Sequence, residues 1–388
     1  MKLFYGSHIF LIAAFSLAVF AGCGGKAPRG FSTASADTLY RNSSAGRFVL
    51  YSYGGKGSSV LEIKDPWQGA EGVSKFVFLS RGGEEAPEGF DAETISVPIK
   101  SAVCMSTSYI GFIDALGSGE VIKGVSGTGF VTSPGIVRRI DSGLVAEVGH
   151  DTGMDYERLV ALDPDVIFIF GVTGENSAVT GKLKELGLKV VYIGEYLEES
   201  PLGRAEWIIP FGEFLGKRTE AEDIFAGINR EYNEAMEVVR SSGGKAPTVM
   251  LNSPWRDSWF VPGDRSYMVR LLEDAGGAYA CSGFDSDQSR PISIETAFIK
   301  ASGSDIWLNP GSAVSLADVV AMNLRFSGVP AVKNGRVFNN NKRTTPAGGS
   351  DFWESGTVNP HIILRDLIKI MHPELLPEHE FYYFRQLE

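Results

Sequence analysis

The sequence predicts an α/β protein of two lobes, each a mainly parallel sheet flanked by helices, joined by one long helix. Three observations carry this expectation. In the first half, short strands that are apolar on both faces alternate with amphipathic helices, the pattern of parallel βαβ packing. The same alternation restarts in the second half. Between the halves, "TEAEDIFAGINREYNEAMEVVRSS" places Ile224, Ile228, Tyr232, Ala235 and Val239 along one helical face. A chain of 388 residues also exceeds one comfortable core. The expected divisions are a leader at residues 1–22, a tether at 23–45, a first lobe at 46–215, a linking helix at 216–243 and a second lobe at 244–388.

The chain opens on Lys2, the apolar run "IFLIAAFSLAVFA" and the small residues Ala21, Gly22 and Cys23. The run falls short of the roughly 20 apolar residues of a membrane span, so it reads as an export signal that is removed. Its ending resembles a bacterial lipoprotein signal, in which the thiol of Cys23 takes a diacylglyceryl group and becomes the new N-terminus. Phe20 departs from the leucine usual three residues before that cysteine, and Val19 partly restores the pattern. Each acyl methylene buried contributes about 0.8 kcal/mol, enough in sum to hold the protein at a bilayer. "GGKAPRGFSTASADTLYRNSSAG" follows, poor in large apolar residues, and reads as a tether.

"RFVLYSY" and "KFVFLSRGG" suit strands. "ISVPIKSAVCMSTSYIGFIDALG" runs from a strand through a Ser/Thr-rich turn into a helix that Gly117 ends. "EVIKGVSG", "VIFIFG" and "KVVYIG" are further strands, separated by the helices "MDYERLVALDPD" and "TGKLKELG". "RAEWIIPFGEFLG" is a helix closed by Gly216. The long helix after it has Thr219 as its expected cap and Gly243 with Gly244 as its stop. The second lobe is read from "APTVMLNS", "SYMVRLLEDAGG", "ISIETAFIKASGSDIWLNPG", "AVKNGRVFNNN" and the last helix "PHIILRDLIKIMHPEL".

Hydrophobic residues make up 44% and charged residues 21%, a globular composition. A formal net charge of −11 argues against nucleic acid or an anionic membrane surface as the main partner. Cys104 and Cys281 sit in opposite halves and are expected to be buried free thiols. Catalytic signatures fail one by one: "GVSGT" misses the last glycine of a nucleophile elbow, and "YGGKGSS" and "GVSGTG" complete neither a P-loop nor a dinucleotide fingerprint. The chain is therefore read as a non-enzyme. Five histidines, one of them in the leader, give no convergent metal set, and "DSDQS" lacks the Gly and Glu of a calcium loop. No resident cofactor is expected.

Open α/β sheets bind ligands at the C-terminal ends of their strands. The loops there contain, in the first half, Ser106, Ser108, Tyr109, Phe130 and Asp151, with Arg138, Arg139 and His150 nearby. In the second half they contain Trp255, Arg256, Trp259, Phe260, Arg265, Arg290 and Arg343. Each ring in "SPWRDSWF" reads equally as lobe core or as ligand contact. Guanidinium groups bind carboxylate or catecholate oxygens in pairs, so these loops suit a planar or chelated anion.

"GMDYERLVALDPDVIFIFG", "GRAEWIIPFGEFLGK", "DRSYMVRLLEDAGG", "VPAVKNGRVF" and "ILRDLIKIMHPEL" together resemble the helical-backbone (class III) periplasmic binding proteins of ATP-driven importers for iron chelates and cobalamin. The likeness spans residues 48–376. It implies two lobes on a rigid strut, a largely preformed ligand cleft between the lobes and a bulky, stiff ligand. It also implies a lipid-anchored monomer on the periplasmic side of a bacterial membrane. Such a protein captures a ferric siderophore or heme and hands it to an ABC permease and its ATPase. Cobalamin is the alternative cargo; an enzyme that dismantles a chelate, or a surface protein feeding an outer-membrane transporter, are the alternatives of other classes. Gly153, Met154 and Glu157 match the family's permease-docking motif. Asp264 in "GDRS" stands where a second docking acid is usual, with Arg265 beside it as a departure.

Overall fold

The computed structural model describes residues 30–150, 153–171 and 177–388. The leader, Cys23 and Asp151 lie outside the described residues. Five strands come first: β1 (Thr38–Tyr40), β2 (Phe48–Tyr53), β3 (Ser58–Lys64), β4 (Ser74–Arg81) and β5 (Glu93–Val97), paired in that order. The β4/β5 pair is parallel and the others antiparallel. Alternate side chains serve two layers: Leu50, Leu61, Ile63, Val77 and Leu79 join the main core, while Tyr51, Val60, Phe76 and Phe78 form a separate cluster packed by Phe31 and Phe90.

The tether expected over residues 23–45 is shorter than the sequence suggested, because β1 pairs with β2 and the next turn is clamped. Buried Glu206 accepts from the backbone N–H groups of Ser43, Ser44 and Ala45 at 2.8, 2.8 and 2.6 Å, and from Tyr40 Oη at 2.8 Å. Glu198 accepts from Gly46 N, Arg47 N and Trp207 Nε1, each at 3.0 Å. Two carboxylates thus satisfy a run of turn amides and one indole.

The first parallel sheet follows, built from β6 (Ala102–Cys104), α1 (Thr107–Ala115), β7 (Ile122–Val125), α2 (Pro134–Asp141), β8 (Ala146–Glu147), α3 (Tyr156–Leu162), β9 (Val166–Ile169), α4 (Ser177–Glu185) and β10 (Val190–Tyr192). Its order is β10-β9-β6-β7-β8, all parallel. Every residue of β6, β9 and β10 is buried, as apolar runs covered on both faces require. Gly117, at φ 59°, turns the chain after α1 as expected.

Helices α5 (Pro201–Glu206) and α6 (Ile208–Leu215) lead into α7 (Arg218–Ser242), the strut, about 37 Å long at 1.5 Å per residue. Its buried face is Ala221, Phe225, Ile228, Tyr232 and Ala235; Ile224 and Val239 are half-buried at its margin. Thr219 does not cap it. The helix already begins at Arg218, Lys217 stands at the cap position without capping the helix through its side chain, and Thr219 is exposed inside the first turn. Gly243 closes the helix at φ 62°.

The second lobe comprises β11 (Thr248–Leu251), β12 (Pro254–Trp255), β13 (Ser258–Val261), α8 (Tyr267–Asp274), β14 (Ala278–Tyr279), β15 (Arg290–Ser293), α9 (Ile294–Ser302), β16 (Ile306–Leu308), α10 (Leu316–Met322), α11 (Pro330–Lys333), β17 (Val337–Asn339), α12 (Pro360–Met371) and β18 (Arg385–Gln386). The main sheet runs β14-β11-β16-β17-β18, parallel except for the last strand, and β12-β13-β15 forms a small antiparallel sheet. Cys104 and Cys281 are buried, and among the described residues neither is paired.

A second seam joins the lobes besides α7. Buried Glu354 accepts from Thr132 N at 2.8 Å and Ser133 N at 2.6 Å, and Thr345 Oγ1 donates to Gly129 O at 2.7 Å. The backbones meet so closely that a Cβ on Gly111 would lie 2.3 Å from the Glu354 carbonyl oxygen.

Candidate ligand cleft

In the first sheet the chain leaves β6 toward β7 and β8, then crosses back to β9 and β10, so β6 is the switch point where a crevice opens. Ser106 follows β6 and caps α1, accepting from Ser108 N at 3.3 Å. Phe170 follows β9, and Glu195 with Tyr196 follows β10 in the 3-10 turn Glu195–Leu197. Arg204 enters from α5. Trp353, just ahead of the 3-10 turn Ser355–Thr357, closes the space from the second lobe. Together with Thr107, Ser108 and Tyr109 these residues line an open cavity of about 230 Å³.

Its polar floor is specific. The Ser108 hydroxyl donates to Glu195 Oε1 at 2.6 Å, and Ser106 Oγ lies 2.8 Å from Ser108 Oγ. Arg204 is 3.9 Å from Glu195 Oε1, an ion pair too long for a hydrogen bond. Its guanidinium rests 5.1 Å from the Tyr267 ring centroid and 5.5 Å from that of Trp353. Both side chains are buried, and among the described residues Glu195 Oε2 and Arg204 Nε have no hydrogen-bond partner. Burial raises the Glu195 carboxyl above its ordinary range, opposed by Arg204 and the Ser108 hydroxyl. Burial likewise pushes the Tyr267 phenol up to about 12.

Of the residues expected at the site, Ser106, Ser108 and Tyr109 line this cavity, Tyr109 as its fully buried base. Trp259 does not. It is 0% exposed, packs on Trp307 and Phe326 at 5.4 and 5.8 Å, and donates Nε1–H to Leu251 O at 2.9 Å. On β13 its side chain alternates inward, leaving Phe260 outside. Trp255 is 67% exposed at the β12–β13 hairpin, whose turn Arg256 makes at φ 54°. Neither lines the cavity.

Arg343, Arg265 and Arg139 are engaged elsewhere. Arg343 pairs with Asp351 at 2.5 Å and stacks 4.5 Å from the Tyr382 ring centroid. Arg265 sits between Glu199 and Asp285, and Arg139 donates to the Glu120 and Ile122 carbonyls. Phe130 is 44% exposed, with its backbone pressed on Gly349 of the second lobe. Glu157 is exposed in the first turn of α3, capped by Asp155. Asp264, in contrast, holds Gly283 N at 2.9 Å. Among the described residues no group of three His, Cys, Asp or Glu side chains could hold a metal ion.

Glu195, Tyr196, Arg204, Phe170 and Trp353 escaped the sequence reading. "GEYLEES" follows a strand and "SDFWESG" lies a few residues after Arg343 in the same stretch, so position carried a signal for Glu195 and Trp353. Arg204 carried none, since it reads as one more charge on a helix.

The model of the periplasmic binding protein family matches residues 103–344. A lipoprotein of Methanocaldococcus jannaschii is 28% identical over 306 residues, 76% of this chain and 70% of that protein. A second lipoprotein of that organism is 26% identical over 342 residues, 84% of this chain and 82% of its own. Among solved structures, a periplasmic heme-binding protein from Pseudomonas aeruginosa superposes with a TM-score of 0.55 at 18% identity, covering 71% of this chain and 94% of that one. A periplasmic binding protein from Veillonella parvula gives 0.57 at 15%, covering 84% and 99%. Helicobacter pylori CeuE with Ni(II) bound gives 0.56 at 18%, covering 74% and 88%. At these identities the structures show the shared two-lobed fold. The family match over more than half the sequence, on that fold and around an interlobe cleft, establishes that this chain belongs to the periplasmic binding protein family.

Proposed function

We propose that the protein is a lipid-anchored, extracytoplasmic receptor that captures an iron complex, a ferric siderophore or heme, and delivers it to an ABC-type importer. The observation that carries the reading is the open cleft between lobes that α7 and the Glu354 seam already hold together. A cleft built in this way needs no large closure, which suits a bulky, rigid cargo. Arg204 over Trp353 offers a cation and a flat apolar ring to a chelate. The lipoprotein relatives support anchoring through Cys23. No helix among the described residues is long and apolar enough to cross a membrane. Exposed Glu157 supports docking on a permease; Asp264 is a weaker second contact because its carboxylate already serves Gly283.

A second reading, cobalamin, is favoured by Glu195: a carboxylate beside Arg204 offsets the positive charge that a multiply anionic chelate would require. The test is titration of the delipidated protein with ferric siderophores, hemin and cyanocobalamin, followed by tryptophan fluorescence. Quenching at micromolar ligand is expected for at least one of them, and silence from all would defeat the proposal.

A further inference from the structure

The cleft floor has a direction. A hydroxyl owns one proton, and an ionised carboxylate can only accept. With Glu195 ionised, Ser108 gives its proton to Glu195 Oε1, and Ser106, 2.8 Å away, gives its own to Ser108. One lone pair of Ser106 Oγ is taken by Ser108 N at 3.3 Å, which leaves acceptor capacity on a residue that lines the cavity. In that state the protons of both hydroxyls point away from the cavity, so the floor reads hydrogen-bond donors. The Arg204 guanidinium across from it has no acceptor and its Nε has no hydrogen-bond partner among the described residues, so it reads acceptors.

Resting on the receptor reading above, we propose that Glu195 is a specificity-determining residue. Through Ser108 and Ser106 it selects cargo presenting a neutral donor beside an acceptor, such as a carboxamide, over cargo presenting only ionised oxygens at this corner. An oxyanion there would face Ser106 lone pairs and a buried carboxylate, and would leave both mismatched. Protonating Glu195 reverses the chain: the acid donates to Ser108, Ser108 to Ser106, and Ser106 into the cleft. The groups facing Glu195 are Ser108 and Tyr109 from α1, Tyr196 from its own turn and Arg204 from α5, with Tyr267 and Trp353 of the second lobe beyond that guanidinium. Of these Arg204 carries the charge. Burial holds the Glu195 proton to higher pH than an exposed carboxyl would, which brings the reversal nearer to neutrality.

The experiment uses the full chain in detergent, titrated at about pH 8 and about pH 5.5 with cyanocobalamin, ferrioxamine B, hemin and a ferric tricatecholate. At the higher pH the amide-bearing complexes should bind at least about tenfold tighter than the ionised ones, the scale of one buried mismatch. Glu195→Gln and Ser108→Ala should compress that ratio, and the lower pH should do the same in the wild type. Infrared difference spectra of the wild type against Glu195→Gln should show no protonated Glu195 carboxyl at about pH 8. Preference for hemin or the tricatecholate, unchanged in both variants, would overturn the inference and leave the receptor reading standing. A protonated Glu195 carboxyl at the higher pH would also overturn it. Binding of none of the four would overturn the receptor reading, and the selectivity would go with it.

Discussion

The guanidinium of Arg204 lies 5.5 Å from the centre of the Trp353 ring, a contact between the helical stretch before the strut and the second lobe. Trp353 is 41% exposed, so its ring is partly free to meet a ligand. Trp353→Ala should weaken cargo binding by about tenfold and remove most of the fluorescence change, since an aromatic–cation platform is worth about 1–2 kcal/mol. Its melting temperature should stay within a few degrees of the wild type. A variant that binds normally would place the cargo elsewhere.

Glu354 predicts a pH dependence of the seam. Burial raises its carboxyl to about 7, against 4.5 for an unperturbed glutamate, despite the two backbone N–H groups it accepts. The folded state thus holds a proton that the unfolded chain has released. The associated stability is fully present below the unfolded value and is lost as pH rises through about 7. The span corresponds to about 3 kcal/mol, at roughly 1.4 kcal/mol per unit. Thermal melts between mildly acidic and mildly alkaline buffer should show the decline in the wild type and a flatter profile in Glu354→Gln. Parallel profiles would place the titrating group elsewhere.

Trp259→Ala tests the corrected place of that ring. Removing a fully buried tryptophan should cost about 3–5 kcal/mol of stability while leaving the affinity of the folded fraction unchanged. Denaturant unfolding reads the first and ligand titration of the folded protein the second. A selective loss of affinity would return Trp259 to the cleft.

Asp366 anchors the C-terminal strap. Its carboxylate, 0% exposed, accepts from Tyr382 N, Tyr383 N and Phe384 N at 3.0, 2.7 and 3.0 Å and from His379 Nε2 at 2.7 Å. Asp366→Ala should strand those amides at about 1–3 kcal/mol each where they stay buried. Tyr383 also meets Ser355 Oγ at 2.9 Å, beneath the loop that carries Trp353. Hydrogen exchange should therefore quicken at residues 382–384 and then at 351–356. Exchange confined to the tail would uncouple the strap from the cleft.

The sequence by itself determined the alternation of apolar strands with helices, the single long helix and the glycines that end its neighbours. These are local properties: periodicity, propensity and the left-handed turns at Gly117, Gly216 and Gly243 need no distant partner. It also singled out Ser106 and Ser108, which line the cavity, because a loop at the C-terminal end of an apolar parallel strand opens on a crevice of the sheet. It could not decide between core and cleft for Trp255 and Trp259, since that depends on which way β13 faces once it pairs with β15. Nor could it find Glu195 and Arg204, or the Glu354 seam. Those sites join segments as far apart as residues 108 and 195, or 133 and 354, and only the packed lobes bring such charges together out of water, where their partners acquire energetic weight.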